Sequence, residues 1–496
     1  MRINLRTWLI GLLLWTGLGF AEELRVGVAT TEITPGTNYP VSGYYSERLS
    51  TGTKDPLQAK AIVFRQGNQT AAFVVCDLIT IASDLSVEVR RRVTERTGIP
   101  GDRVILAATH THTGPDYTRE LYSTVTGLPL PETWKGREPY ADKLIEAIAE
   151  SVIQAYEGAR PARLKTGSAT QNPDMAFHRR YLMRNGEYRT WIGLKDPQVL
   201  RTAGPIDPEI GMLLVEDPES RQPTAMFSSY ALHLDTVGGT LWSADYPFFI
   251  ERTLRGELGG KLISLFGNGC CGNINHVDPN TTERNSAELI GTSLGKTILA
   301  AVPELTEIAN PLLQMRGQIV QLPLQGCTAE QLSKAKQLLR EIQGGKNADF
   351  YEHVDAYKRL IIEHLRTNAD VQETISLIGW GLSKSKQGSG ESLPVDLQVI
   401  TVGRNLAIVG LPGEMFVEYG LRIKQASPFK TTLVVELCNV GETIYVPTRE
   451  GYLAAEKTFT GGGYEVVNST TLPGAGDLLV DTAVRLLMEC AHEVEK

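Results

Sequence analysis

Only eight of the 496 residues are histidine, and two of them stand in Thr109-His110-Thr111-His112-Thr113-Gly114-Pro115. Imidazole nitrogen is a good zinc ligand at neutral pH. The motif follows the apolar run Val104–Ala108 directly. It therefore sits at a strand exit, where a rigid element can present side chains from a loop. In an extended segment residues two apart point the same way, so both imidazoles could face one cavity. Metal binding or catalysis is one reading of the pair, and two hydrogen-bonded structural histidines is the other. His233 also ends an apolar strand, in Ser229-Tyr230-Ala231-Leu232-His233-Leu234-Asp235. Alone it reads as a core histidine; beside His110 it reads as a second ligand. Glu414 closes Leu411-Pro412-Gly413-Glu414 after the strand Ala407–Leu411. It is either a carboxylate ligand or an acid at a helix N-terminus, favoured there by the macrodipole. Tyr445, Tyr452 and Tyr464 lie in a glycine-containing tract from Asn439 to Glu465. Glycine lets backbone approach a ligand closely, but by themselves these tyrosines read as surface residues.

The elements that must position these groups alternate along the chain. Ala61–Phe64 and Thr70–Val75 read as strands around the turn Gly67-Asn68, and Val104–Ala108 as a short buried strand. Leu85–Arg96 reads as a helix stopped by Gly98-Ile99-Pro100. Tyr140–Tyr156 carries Leu144, Ile145, Ile148, Val152 and Ile153 at helical spacing. Met212–Val215, Thr224–Tyr230 and Leu262–Phe266 are further strands, and Ser286–Ala301 is a helix. Thr328–Gln343 and Asp349–Arg366 are charged amphipathic helices and read as an exposed helical insert, about 328–367. Leu397–Leu411 and Thr432–Leu437 return to strand, and Asp477–Glu495 is a final helix. Lys384–Ser392, rich in Gly and Ser, lies between two strand candidates and reads as a loop. This interleaving predicts an α/β fold in which mixed sheets are covered by helices. There is no internal repeat and no P-loop, so P-loop nucleotide binding loses support.

Composition narrows the function classes. Apolar residues make up 42% and charged residues 21%, which excludes a disordered or collagen-like chain. A net charge of −8 without any long basic run argues against nucleic-acid binding and against a polybasic membrane patch. Lipid contact would have to be apolar and peripheral. Arg2 and Arg6, the apolar run from Trp8 to Phe20, and Gly19 and Ala21 at −3 and −1 spacing predict a secretory signal, residues 1–21. The run is short for a membrane span, which needs about 20 residues. The mature chain would be exported, periplasmic or extracellular, with no transmembrane segment. The six cysteines are far too few for a disulfide scaffold, and none has CxxC spacing. Adjacent Cys270 and Cys271 could not bond each other without strain. No heptad or apolar stripe encodes an oligomeric state.

Taken in order, four motifs resemble the neutral/alkaline, non-lysosomal ceramidase family. They are Ala108 through Pro115, Ala231-Leu232-His233, Leu411 through Glu414, and Asn439 through Tyr445 to Tyr452. The spacing of Tyr445 and Tyr452, and Tyr464-Glu465 before Ser469-Thr470, are also similar to the family pattern. The resemblance runs over nearly the whole mature chain. It implies one ceramidase-like zinc hydrolase domain over residues 22–496, without the carboxy-terminal immunoglobulin-like domain of longer members. It implies Zn2+ held by His110, His233, Glu414 and Tyr445, with His112 lining the pocket beside the metal. Arg179, in Phe177-His178-Arg179-Arg180, and Tyr464 would polarise the scissile amide carbonyl and hold the oxyanion. Taken without the family, Arg179 reads as a surface salt bridge.

One departure bears on mechanism. In Gly267-Asn268-Gly269-Cys270-Cys271-Gly272-Asn273-Ile274-Asn275-His276, Asn275 aligns with the serine regarded as nucleophile in the family. Asparagine cannot form an acyl-enzyme. A zinc-activated water attacks directly, or Cys270 or Cys271 substitutes, or the activity differs; water is the favoured reading. The resemblance implies an exported zinc amidohydrolase that cleaves a ceramide-like N-acyl sphingoid lipid to fatty acid and amine. The alternatives are a zinc hydrolase of the same fold acting on another amide or ester, and a non-catalytic envelope binding protein.

Overall fold

A computed structural model describes residues 22–494. The segment read as an export signal, Met1–Ala21, lies outside the described residues.

Three sheets carry the architecture. The first runs in the order Val104–Ala108, Gln69–Cys76, Gln58–Gln66, Arg25–Glu32, Arg160–Pro161. The second runs Ile263–Asn268, Pro223–Tyr230, Glu209–Glu216, Arg163–Thr170, Thr306–Glu307. The third runs Leu313–Pro323, Ser392–Val402, Leu406–Gly410, Thr431–Val435. Within each sheet one edge pair is parallel and the other pairings are antiparallel.

The strand residues alternate between two cores. Phe64, Phe73 and Ile105 of the first sheet meet Leu213, Phe227 and Leu265 of the second and Ile400, Ile408 and Leu433 of the third in one central cluster. The opposite faces are covered by helices. Ser83–Thr97 and Ala141–Glu157 bury Val89, Val93, Leu144 and Ile148 against the first sheet. Tyr246–Leu258 and Ala287–Ala301 cover the second sheet, and Ala475–Val494 covers the third. Strands buried on both faces read as continuous apolar runs rather than alternating ones. Ile-Val-Phe at 62–64 and Val-Ile-Leu at 104–106 owe their composition to this. The predicted α/β class with mixed, helix-covered sheets is the observed one.

The parallel pairs position the site. Parallel strands leave a sheet on the same side, so the turns after Ala108, Tyr230, Asn268, Gly410 and Val435 can be gathered together. They are stitched to one another by backbone. Ala108 N donates to Leu437 O at 3.2 Å, Asn439 N to Leu106 O at 2.9 Å, and Glu436 N to Asn268 O at 2.9 Å.

Three expectations change. Leu397–Leu411 is two antiparallel strands joined through Gly403, whose φ of +56° suits a tight turn without a Cβ. The helical insert is exposed mainly along Ala329–Gln343. Phe350–Arg366 buries Tyr357, Leu360, Ile361 and Leu365 in the core of the third sheet. The loop at 384–392 follows a short helix, Gln372–Leu377, rather than a strand.

Candidate metal centre

The turn after Val104–Ala108 is not extended. His110 adopts φ +79°, and its N–H donates to Leu78 O at 2.9 Å, while His112 N donates to Leu234 O at 3.2 Å. The rings of His110 and His112 nevertheless face one cavity, with centroids 5.0 Å apart and planes perpendicular. They converge because a left-handed turn folds the segment, and not because residues two apart share a strand face. A non-glycine residue held at positive φ marks local strain, common at functional sites.

His233 completes the group. Its Nε2 lies 3.0 Å from His110 Nε2 and 3.2 Å from His112 Nε2. Ligand atoms of the three histidines all fall within 4.8 Å of one another. His110 Nδ1 donates to Ile79 O at 2.7 Å, which turns Nε2 toward the cavity. Nε2 also faces Glu414 Oε2 at 3.3 Å, an atom that is buried without a hydrogen-bond partner.

Glu414 and Tyr445 come together through a two-residue parallel bridge in which Glu414 is paired with Tyr445 and Met415 with Val446. Gly413, at φ +64°, makes the turn into this bridge, and a Cβ there would fall 2.0 Å from Thr443 Oγ1. Glu414 therefore stands in the bridge and not at a helix N-terminus; the following helix, Val417–Ala426, starts three residues later. Tyr445 is buried, and its hydroxyl accepts from Arg179 Nη2 at 3.1 Å.

Arg179 is likewise buried, so the surface salt bridge is not what forms. Its Nε donates to Glu465 Oε1 at 2.9 Å and its Nη2 to Gly272 O at 2.7 Å, while Nη1 lies 3.4 Å from His233 Nε2. Glu465 also pairs with Arg180 at 3.2 Å and accepts from Thr190 Oγ1 at 2.9 Å. Tyr464 packs against Tyr445 at 5.4 Å, and its hydroxyl accepts from Asn468 Nδ2 at 3.1 Å.

Burial sets the charge states. It pushes His112 down to about 4 and His233 well below its ordinary value, so both rings are neutral at pH 7. Burial would raise Glu414, but His110, Tyr445 and Arg179 hold it below the usual carboxylate range. Burial, then Glu414, pushes Tyr464 up to about 12, leaving its phenol protonated. Neutral imidazoles, an anionic carboxylate and a phenol oxygen converge with more lone pairs than protons. That donor set fits a cation.

Two pockets meet at the cluster. The more apolar one, about 730 Å³, is lined by Tyr44, Tyr45, Ile444, Tyr445, Tyr464 and Trp380. The more polar one, about 920 Å³, is lined by Arg179, Trp191, His233, Asp235, Asn275 and His276. Asn275 is buried opposite Phe177 in a short antiparallel bridge, and its Oδ1 accepts from Val277 N at 3.2 Å.

All six cysteines are free thiols. Cys271 Sγ stands on the Nδ1 side of His233 at 3.6 Å and donates to Glu436 Oε1 at 3.0 Å. Cys270 packs against Gly420 in the third-sheet core. Burial pushes both thiols up, so neither is an activated thiolate.

Tyr452 is not at the cluster; its hydroxyl meets Ser469 Oγ at 2.7 Å and Thr471 O at 3.0 Å. Site residues that the motifs did not single out are Glu465, Tyr45, Trp380 and Asp235. Glu465 and Asp235 stand one and two residues from chosen ones, and a search for acids flanking motif residues would have found them. Tyr45 and Trp380 carry no local signal.

No protein-family model matches the chain. Among curated proteins it is 25% identical over 279 residues to neutral ceramidase A of Dictyostelium discoideum, covering 52% of this chain and 36% of that protein. It is 27% identical over 170 residues to neutral ceramidase 3 of Arabidopsis thaliana, covering 33% of this chain and 22% of that protein. The matches thus span about a third or less of those relatives' length. Among solved structures, neutral ceramidase from Pseudomonas aeruginosa superposes with a TM-score of 0.64 at 19% identity, covering 94% of this chain and 75% of that one. A ceramidase complexed with C2 gives the same TM-score at 20% identity, covering 94% and 76%. In sequence over half its length, and in fold over nearly all of it, the chain is a relative of the neutral ceramidase family.

Proposed function

We propose that the protein is an exported zinc-dependent amidohydrolase that cleaves the amide of a ceramide-like N-acyl lipid, releasing fatty acid and amine. Export rests on the signal pattern at residues 1–21, and residues 22–496 make up the hydrolase domain. The observation that carries the chemistry is the convergence of the three histidines on one another at Nε2, with His110 Nε2 also facing the orphaned Glu414 Oε2 and Arg179 bridging toward Tyr445.

His110, His233, Glu414 and Tyr445 would hold the metal, with His112 beside it. Bound Zn2+ supplies Lewis acidity and activates water at neutral pH. The chain's own groups do the rest. The aromatic pocket takes the apolar part of the substrate and excludes water from it. Arg179 and the protonated Tyr464 donate to the carbonyl oxygen as it becomes an oxyanion. His112, neutral and partly buried, can take a proton on Nε2 and return it to the departing nitrogen. Asn275 lies in the polar pocket beside Arg179, where it would orient the substrate. Burial that raises both thiols supports water over cysteine as nucleophile, and Cys271 Sγ meets His233 on Nδ1, away from the Nε2 cluster.

Asn275 also favours a second reading, the same chemistry on a different amide or ester, because the residue cannot be acylated. Among the described residues no helix is long and apolar enough to cross a membrane. Lipid would be met peripherally.

The test is hydrolysis of an N-acylsphingosine by the purified protein, before and after chelation and with zinc restored. Zinc-restorable cleavage supports the proposal. A zinc-loaded protein that leaves this substrate intact moves the activity to another amide or ester. A protein that takes up no zinc overturns the metal reading.

A further inference from the structure

The loop from Gly267 to Gly272 supplies no nucleophile, yet it touches the turns that carry His110, His233 and Glu414. Asn268, Cys271 and Glu436 are all fully buried, and none has a role in the reaction described above. Asn268 closes the strand Ile263–Asn268. Its Oδ1 accepts from Leu232 N at 3.4 Å, and its Nδ2 donates to Thr109 O at 3.3 Å. Those are the residues immediately before His233 and His110. The same Nδ2 lies 3.3 Å from Cys271 Sγ. Cys271 Sγ donates to Glu436 Oε1 at 3.0 Å and stands 3.6 Å from His233 Nδ1. Glu436 Oε2 accepts from Met415 N at 2.7 Å, next to Glu414. The circuit closes where Glu436 N donates to Asn268 O at 2.9 Å.

We propose that Asn268, Cys271 and Glu436 form a positioning network that holds His110, His233 and Glu414 at metal-binding separation. This rests on the reading of those three residues as ligands. Each ligand ring or carboxylate must be fixed by a partner on its far side if its near side is to meet a cation. Ile79 O does this for His110. For His233 the corresponding partner is the Cys271 sulfur, steadied by Glu436 and Asn268. Because the network is buried, its hydrogen bonds are not exchanged for water, and loss of one leaves its partner unsatisfied. Glu436 couples two ligands at once, through sulfur to His233 and through Met415 N–H to the Glu414 bridge.

The experiment measures Zn2+ affinity by chelator competition, the absorption spectrum of the Co2+-substituted protein, and thermal unfolding of the metal-free protein. It compares wild type with Cys271→Ala, Cys271→Ser and Glu436→Gln. Second-layer losses around metal sites weaken binding by about 10–100-fold. Cys271→Ala and Glu436→Gln are expected to show that loss with an altered cobalt spectrum. Cys271→Ser keeps a donor and an acceptor and should recover most of the affinity. If Cys271→Ala fails to fold, the near-isosteric Glu436→Gln and Cys271→Ser still decide the matter. Wild-type zinc affinity and cobalt spectrum in the variants, with or without a lower unfolding temperature, would overturn the network alone. A wild-type protein that binds no zinc would overturn both the network and the ligand reading beneath it.

Discussion

Arg179→Lys isolates what the guanidinium does. Three of the arginine's contacts are structural: Nε to Glu465 at 2.9 Å, and Nη2 to Gly272 O at 2.7 Å and to Tyr445 OH at 3.1 Å. Nη1 is left facing His233 and the cluster. A lysine ammonium is a single point donor and cannot span Glu465, Gly272 and the cavity together. The variant keeps the charge and loses the directed donor. Removing one oxyanion donor costs about 10²–10³ in kcat, or about 2.7–4 kcal/mol. The cost in stability is smaller, because Glu465 retains Arg180 at 3.2 Å and Thr190 at 2.9 Å. Exposing the Gly272 carbonyl to an unmet bond costs about 1–3 kcal/mol. Steady-state kinetics on the cleaved amide, with zinc content measured on the same sample, should show kcat down by that factor. KM and zinc content should stay close to wild type. A kcat near wild type would refute the oxyanion role, and a defect that tracks lost zinc would reassign Arg179 to holding the cluster.

Four further outcomes are expected. Glu414→Gln keeps the shape of the bridge but removes the anionic oxygen, so zinc measured by atomic absorption should fall from stoichiometric to trace. Gly413→Ala puts a Cβ 2.0 Å from Thr443 Oγ1 at a backbone φ of +64°, which should displace Glu414 and weaken zinc uptake while circular dichroism stays native. Glu465→Gln removes the carboxylate that the buried Arg179 and Arg180 share, and breaking such a pair costs about 3–5 kcal/mol, read as a lower unfolding temperature. Burial, then Arg284 beside it at 3.2 Å, pushes His276 down to about 4. The unfolded chain binds this proton near pH 6.5 and the folded one only near 4. Stability from this group is therefore complete above about 6.5 and lost as pH falls toward 4, by about 3 kcal/mol at most. His276→Gln should flatten the unfolding temperature over that window, and an unchanged pH profile would exclude His276 as its source.

The features legible along the chain are local ones. Val104–Ala108 is a strand with the predicted bounds, because five apolar residues between Arg103 and a threonine-histidine turn have nowhere else to be buried. The helix Ser83–Thr97 ends at Gly98, which takes φ +76° as a left-handed cap should. His110, His112, His233, Glu414 and Tyr445 stand out as candidates because each follows an apolar strand or sits in an ordered set of short motifs. Tertiary structure decided what those residues meet. Tyr445 lies across from Glu414 because two loops from distant strands form a two-residue bridge, and no spacing along the chain encodes that. Arg179 is 286 positions from Glu465, whose carboxylate turns an apparent surface cation into a buried donor. Phe350–Arg366 carries the charges of an exposed helix, yet its Tyr357 stacks on Trp380 and meets Tyr45 behind the apolar pocket. Side-chain type and periodicity are properties of a segment. Burial and ligand geometry depend on which segments three sheets bring to one place, and that is settled only when the parallel edge strands deliver their turns together.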